Sequence, residues 1–201
     1  MNTHTWTPPA GTAGLIFDCD GTLADTMPAH YKAWRALLDR FDIPFPEARF
    51  YAMGGMPTAS IIRVLAAETG VTVTDVDAMV HEKERTFLTH LDAVVAIEPV
   101  LGIAAAYRGK LPIAVASGGY RDTIARTLDR LNVRDWFDAI VTAEDTPRHK
   151  PEPDVFLEAA KRLGVEAVKC VVFEDTDIGL EAARRAGMVG VDVRPWVTRP
   201  G

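Results

Sequence analysis

The sequence predicts an α/β protein, with a three-layer parallel-sheet core and a small helical domain inserted after the first strand. Three observations lead to this fold class. Short apolar runs, which suit strands buried on both faces, alternate with helical patterns in the C-terminal part of the chain. The stretch from residue 28 to residue 96 shows helical periodicity alone. The length of 201 residues is long for one compact domain and short for two full ones.

Five apolar runs are the predicted strands of the core. The first, Ala13–Phe17, ends abruptly at polar residues. Helical patterns with one apolar face, such as Arg121–Leu131, separate the later runs. Alternating strands and helices indicate a Rossmann-like parallel sheet with helices on both faces. The other predicted strands are Leu111–Ala116, Ala139–Thr142, Cys170–Phe173 and Val189–Val193, and the other predicted core helices are Val155–Leu163 and Ile178–Ala186.

Three helices and no strand are predicted between residues 28 and 96. Apolar side chains recur at helical spacing over His30–Phe41, Thr58–Thr69 and Asp75–His90. Gly70 is the predicted stop of the second helix, and Thr74 is the predicted N-cap of the third. We therefore predict a core of residues 1–27 and 97–201 and a helical domain of residues 28–96.

Composition and charge exclude several classes of protein. Hydrophobic residues make up 48% of the chain and charged residues 25%, which is typical of globular domains. The net charge is −6 and no run of consecutive basic residues is longer than the pair Arg184–Arg185, so no nucleic-acid partner is expected. No apolar run approaches the ~20 residues that span a bilayer, and the N-terminus lacks a secretory signal, so no membrane partner is expected. Cys19 and Cys170 have no metal or redox spacing, so reduced thiols in a cytoplasmic protein are expected. A monomer is expected.

Polar residues follow the first two predicted core strands directly. Ligands of an open parallel sheet bind beyond the carboxyl ends of its strands. The first strand is followed by Asp18 and Asp20, then by Gly21, where the backbone can pass close to a ligand. The second is followed by Ser117 and Gly118, just before a helix. A hydroxyl group and free backbone N–H groups at that position form an anion site.

The third and fourth predicted core strands complete a set of groups suited to phosphate chemistry. Lys150 lies in the loop after the third strand, and the fourth strand is followed by Glu174 and Asp175. These two acids would converge with Asp18 and Asp20, and their mutual repulsion would raise the pKa values of the carboxyl groups. A divalent cation removes this conflict, and oxygen-only ligands favour Mg²⁺. Mg²⁺ and Lys150 would then neutralise a bound phosphate.

Taken in order, these four motifs resemble those of the haloacid dehalogenase superfamily. Asp18–Thr26 resembles its first motif and Ser117 its second. Lys150-Pro151 and Glu174–Gly179 resemble the third and fourth. The helical domain resembles the small α-helical cap inserted after the first motif. The resemblance spans residues 13–194 and is strongest to the beta-phosphoglucomutase-like branch, in particular to its sugar-phosphate phosphatases, which include fructose-1-phosphatase-like proteins.

The resemblance implies a mechanism for the core residues. Asp18 would attack phosphorus and form an aspartyl-phosphate. Asp20 would protonate the leaving oxygen and then activate water. Mg²⁺ would be held by the Asp18 carboxylate, the Asp20 carbonyl and the Asp175 carboxylate, and Glu174 would hold a metal-bound water. The acid at position 20 argues against dehalogenation, because the dehalogenase branch lacks it.

The resemblance also implies substrate contacts in the cap. It places His30, Trp34 and Lys83 near the substrate, together with Gly55 in the cap loop. Mutases of this branch have an arginine that holds a second phosphate where this chain has Thr58, which favours hydrolysis of a small phosphorylated sugar here. A hexose-phosphate mutase and a non-catalytic phospho-binding protein are the alternatives.

Eight of the candidate residues also have a purely structural interpretation. The alternatives are turn formation for Asp18 and Asp20, helix capping for Ser117, first-turn acids for Glu174 and Asp175, core packing for Trp34, and solvated surface positions for Lys150 and Lys83.

Overall fold

A computed structural model describes residues 6–197 of the chain. Its strands are β1 (Gly14–Phe17), β2 (Ala24–Asp25), β3 (Val95–Ala96), β4 (Ile113–Ala116), β5 (Ala139–Val141), β6 (Cys170–Glu174) and β7 (Val189–Asp192). Five of them form one parallel sheet in the order β5-β4-β1-β6-β7. These five strands are the ones that the apolar runs predict, so the parallel α/β core is confirmed.

Eight α-helices accompany the strands in the described residues. They are α1 (Met27–Leu38), α2 (Glu47–Ala52), α3 (Thr58–Thr69), α4 (Val76–Leu88), α5 (Glu98–Tyr107), α6 (Arg121–Arg130), α7 (Asp154–Leu163) and α8 (Asp177–Arg185). The six helices predicted from periodicity are all present, and α3 has the predicted bounds.

The sheet is covered on both faces, and strand β1 shows why. Its residues are buried, and alternate side chains point to opposite faces. Leu15 and Phe17 pack into an apolar cluster with residues of α5 and α6, whereas Ile16 packs with residues of α7 and α8. Phe17 stacks on Phe173 of β6 with ring centroids 4.7 Å apart. The three-layer arrangement therefore follows from an apolar run without polar alternation.

Helices α1 to α4 have an apolar cluster of their own, which includes Trp34, Phe45 and Ile62. The chain enters and leaves this helical part through β2 and β3, which pair antiparallel with Ala24 opposite Ala96. The prediction of helices alone between residues 28 and 96 is therefore wrong at β3, a strand too short to show periodicity. The division into a core of residues 1–27 and 97–201 and a helical domain of residues 28–96 stays a prediction.

Three further details differ from the predictions. The N-cap of α4 is Asp75, whose carboxylate accepts a hydrogen bond from the Ala78 N–H at 2.8 Å, and not Thr74. Helix α2 is only six residues long and was not predicted. Helix α5 was not predicted because it is apolar over most of its length and lacks the polar face that marks an amphipathic helix.

None of the helices within residues 6–197 combines the length and the apolar character needed to cross a membrane. Residues 1–5, which belong to the segment used to predict the absence of a secretory signal, lie outside the described residues.

Candidate active site

The predicted site residues lie around one cleft, which is between the carboxyl edge of the sheet and the helices of the cap. It is lined by all of them except Gly21, namely Asp18, Asp20, His30, Trp34, Gly55, Lys83, Ser117, Gly118, Lys150, Glu174 and Asp175. Residues that are more than a hundred positions apart in the chain therefore meet at one place, as the strand ends predict.

Lys150 is a buried cation and not a surface lysine. Its Nζ donates hydrogen bonds at 2.7 Å to Asp18 Oδ1 and at 2.7 Å to Glu174 Oε1, and its side chain is 3% exposed. Burial by itself would lower the pKa of Lys150, but the two carboxylates outweigh this effect and raise it. The ammonium therefore stays charged and fixes one oxygen of Asp18.

The carboxylates around Lys150 outnumber it. Asp18, Glu174 and Asp175 are all buried. The pKa of Asp18 is raised well above its ordinary value, first by burial and then by the charges of Glu174, Asp175 and Asp20, against the opposing effect of Lys150. A surplus of buried negative charge and an oxygen-only donor set fit a hard divalent cation such as Mg²⁺.

The described residues contain no ready-made cluster of three acidic, histidine or cysteine side chains that could hold a metal ion. The ligand set that the family resemblance implies contains only two side chains, those of Asp18 and Asp175, together with a backbone carbonyl. A site with two carboxylates and one carbonyl does not require a cluster of three such side chains. The oxygen donors of the cleft therefore still fit Mg²⁺.

Gly21 does not line the cleft but makes room for Asp175. Its φ is +80°, and a Cβ at this position would lie 2.2 Å from Asp175 Oδ2. Thr22 donates a hydrogen bond to the other oxygen of Asp175 at 3.3 Å. The backbone at Gly21 was expected to pass close to a ligand. It instead passes close to the carboxylate of Asp175.

Glu174 is occupied by protein donors on both oxygens. Oε1 accepts from Lys150, while Oε2 accepts from the Thr176 N–H at 2.6 Å and from the Thr176 hydroxyl at 2.9 Å. These contacts favour a role in positioning Lys150 over the expected role of holding a metal-bound water. Helix α8 begins at Asp177 with Thr176 as its N-cap, so the first-turn interpretation of Glu174 and Asp175 is wrong.

Ser117 does not cap helix α6. The N-cap of that helix is Tyr120, and the buried Ser117 Oγ instead accepts a hydrogen bond at 3.0 Å from the Gly119 N–H in its own loop. The Ser117 hydroxyl keeps its own hydrogen for a ligand in the cleft. Gly118, next to it, is exposed at the cleft wall.

Asp20 is held by the cap rather than by Lys150. His30 Nε2 lies 3.3 Å from Asp20 Oδ1, and His30 Nδ1 lies 2.8 Å from Lys83 Nζ. Because an ammonium group can only donate, Nδ1 accepts from Lys83 and Nε2–H donates to Asp20. Burial raises the pKa of Asp20, but the hydrogen bond from His30 and the charge of Lys83 hold it below its ordinary value. This arrangement favours the carboxylate form of Asp20 in the free protein.

Buried Lys83 forms an ion pair with its partly buried neighbour Glu84. Lys83 Nζ lies 2.9 Å from Glu84 Oε1, and the two side chains are 4% and 14% exposed. The solvated interpretation of Lys83 is therefore wrong. Glu84 also lines the cleft, and the sequence analysis missed it because it lies in a run of four charged residues. Its helical spacing from Val80 and Phe87, which are buried on the same helix, is the signal that could have found it.

Trp34 and Gly55 complete the cap side of the cleft. Trp34 is 2% exposed and packs edge-on against Phe45 at 5.5 Å, so it is a core residue that also touches the cavity. At Gly55 a Cβ would lie 2.8 Å from Ile178 Cδ1, and φ is +80°. The cap loop therefore packs closely against helix α8 of the core.

The fold and the cleft define a class of protein, a hydrolase with a parallel-sheet core, an aspartate at the end of its first strand and a helical cap above it. The chain belongs to the haloacid dehalogenase-like hydrolase family, whose model matches residues 12–187.

Individual relatives support this membership. The chain is 40% identical over 182 residues to fructose-1-phosphate phosphatase YqaB of Escherichia coli, an alignment covering 90% of this chain and 96% of that protein. It is 30% identical over 187 residues to the beta-phosphoglucomutase of Bacillus subtilis, covering 89% and 82%. The crystal structure of a hydrolase from Pseudomonas syringae matches with a TM-score of 0.81 and 29% identity, covering 90% of this chain and 84% of that one. The predicted family and the enzyme class, phosphoric monoester hydrolase, are thereby confirmed.

Proposed function

We propose that the protein is a Mg²⁺-dependent phosphatase that hydrolyses small sugar phosphates of the hexose type, with Asp18 as the nucleophile. The observation that carries this proposal is the different environment of two acids in one cleft. Asp18 is buried and bound to Lys150, whereas Asp20 is bound to His30 of the cap. Two carboxyl groups in distinct surroundings can take distinct chemical roles.

The chemistry follows from these contacts. Lys150 fixes Oδ1 of Asp18, so Oδ2 attacks phosphorus and forms the aspartyl-phosphate while the ester P–O bond breaks. In the substrate complex Asp20 must first take up a proton, which it then gives to the leaving oxygen. The water that attacks the intermediate returns a proton to Asp20. The Ser117 hydroxyl and Lys150 bind the oxygens of the phosphate group.

The cation would be held by the carboxylates of Asp18 and Asp175 and the carbonyl of Asp20. Bound there, Mg²⁺ would neutralise phosphate charge and allow a carboxylate to approach it. We assign Glu174 to positioning Lys150, because protein donors occupy both of its oxygens.

The choice of substrate class rests on the relatives. The protein at 40% identity is a fructose-1-phosphate phosphatase, which supports a hexose phosphate as substrate. A non-catalytic phospho-binding protein would need neither the buried nucleophile nor the acid at position 20. We further propose that the protein is cytoplasmic, since Cys19 and Cys170 are both free and buried. We propose a monomer because the residues of a single chain suffice to form the cleft.

The proposal is tested with a panel of hexose, pentose and polyol monophosphates in the presence of Mg²⁺. Free phosphate and isomerised sugar phosphate are measured in the same samples. We expect free phosphate to be the main product with at least one hexose phosphate, and its release to fall by about 10⁴-fold or more in the Asp18→Asn variant. Faster isomerisation of glucose 1-phosphate than hydrolysis of any ester would establish the mutase instead.

A further inference from the structure

The cap wall of the cleft, which we define as Thr58, Lys83 and Glu84, contains a carboxylate that the proposed chemistry does not use. Glu84 Oε1 accepts from Lys83 at 2.9 Å and from the Thr58 hydroxyl at 3.3 Å. Glu84 Oε2 accepts from Thr123 of helix α6 in the core at 3.1 Å. Glu84 is thus fixed from three helices at the boundary between cap and core.

The positive groups of the cleft are already matched by acids. The cleft is lined by two lysines and, among the described residues, by no arginine. Lys150 is paired with Asp18 and Glu174, and Lys83 is paired with Glu84. The pKa of Glu84 is lowered: burial raises it, but the charge of Lys83 and the hydrogen bonds from Lys83 and Thr123 outweigh burial. A second anionic group on a substrate would therefore find no unpaired cation at the cap wall.

We infer that Glu84 is a specificity-determining residue that excludes substrates with a second anionic group remote from the phosphate that is hydrolysed. This inference rests on the proposed phosphatase function and narrows its substrates to monophosphates of neutral polyhydroxy compounds. A second phosphate carries about −1.5 to −2 charges and would meet the carboxylate in a partly desolvated wall. A sugar hydroxyl, in contrast, can donate to Glu84 and accept from Lys83.

The alternative is that Glu84 only joins the cap to the core through Thr123. Such a structural role would change kcat/KM for all substrates alike. Discrimination by charge would change the ratio of kcat/KM between substrates that differ in one remote phosphate. This ratio also cancels any effect that Glu84 has on Asp20 through Lys83 and His30.

The test compares fructose 1-phosphate and fructose 6-phosphate with fructose 1,6-bisphosphate, using the wild type and the Glu84→Gln variant. We expect the wild type to prefer a monophosphate. We expect Glu84→Gln, which leaves Lys83 without its acid, to reduce that preference about tenfold or more. The matched control is Glu82→Gln, the same change on the same helix at a residue that pairs with Arg40 at the surface. The control should leave the ratio unchanged.

A second variant covers the case in which Glu84→Gln does not fold. Thr58→Lys keeps Glu84 and places a cation beside it, and we expect the same change in the ratio. The inference is overturned if monophosphate is hydrolysed but the ratio is unchanged in the variants that fold, or if Glu82→Gln changes it equally. If the wild type hydrolyses neither these three esters nor any other hexose phosphate, the proposed function fails. The preference is then measured as calorimetric binding of the same esters to wild type and variants, and an equal preference in both would overturn the inference.

Discussion

Replacing Asp18 with asparagine is expected to reduce phosphate release by about 10⁴-fold or more, the loss typical of removing a nucleophile. The asparagine amide has nearly the shape of the carboxylate but cannot attack phosphorus. Its oxygen can still accept the hydrogen bond from Lys150 that Asp18 Oδ1 accepts at 2.7 Å. Initial rates of phosphate release with a saturating hexose phosphate measure the effect.

The same substitution is expected to leave the folded state as stable as the wild type, or more stable, in metal-free buffer. Burial and the surrounding acids raise the pKa of Asp18. A carboxyl group whose pKa is higher in the folded than in the unfolded state destabilises the fold once pH exceeds the unfolded value. A neutral side chain removes that penalty at pH 7. Urea unfolding with a chelator present measures it, and a loss of more than about 2 kcal/mol would contradict this account of the cluster.

Replacing Lys150 with methionine is expected to destabilise the protein by about 3 kcal/mol and to lower kcat/KM by about 10³-fold. Methionine has a similar length but no charge, so Asp18 and Glu174 would face each other and Asp175 without a cation. Protonation of Asp18 limits the loss of stability, because its pKa is already raised.

The matched control for this change is Lys161→Met. Lys161 lies on the surface of helix α7, and its side chain is 77% exposed. An ion pair with Glu158 at such a position contributes little to the stability of the fold. Urea unfolding should separate the two variants clearly. Equal unfolding free energies for Lys150→Met and Lys161→Met would show that the buried ion pairs do not hold the site together.

Much of the core site could be predicted because parallel strands place their carboxyl ends at one edge. This rule alone brings Asp18, Ser117, Lys150 and Glu174 together from distant positions. It does not give the contacts between them. The use of both Glu174 oxygens by Lys150 and Thr176 depends on loop geometry that has no periodic signal.

The cap side was less predictable for a physical reason. Lys83 and Glu84 lie in a run of charged residues, which is typical of a solvated helix face. Lys83 is buried and Glu84 partly buried because helix α4 packs against α1 and lies beside α6 of the core. Likewise, the tautomer of His30 is set by the hydrogen bond that it accepts from Lys83, which lies on another helix. No local sequence pattern predicts this contact.

The central claim is that Asp18 becomes covalently phosphorylated. The most direct measurement uses the Asp20→Asn variant with an activated phosphate donor, p-nitrophenyl phosphate, whose leaving group needs little protonation. Loss of the base at position 20 should slow hydrolysis of the intermediate, so that it accumulates. Acid quenching followed by borohydride reduction converts an aspartyl-phosphate to homoserine, which peptide mass spectrometry locates. We predict homoserine at position 18 alone; homoserine at another position, or p-nitrophenol release by this variant with no homoserine, would contradict the account.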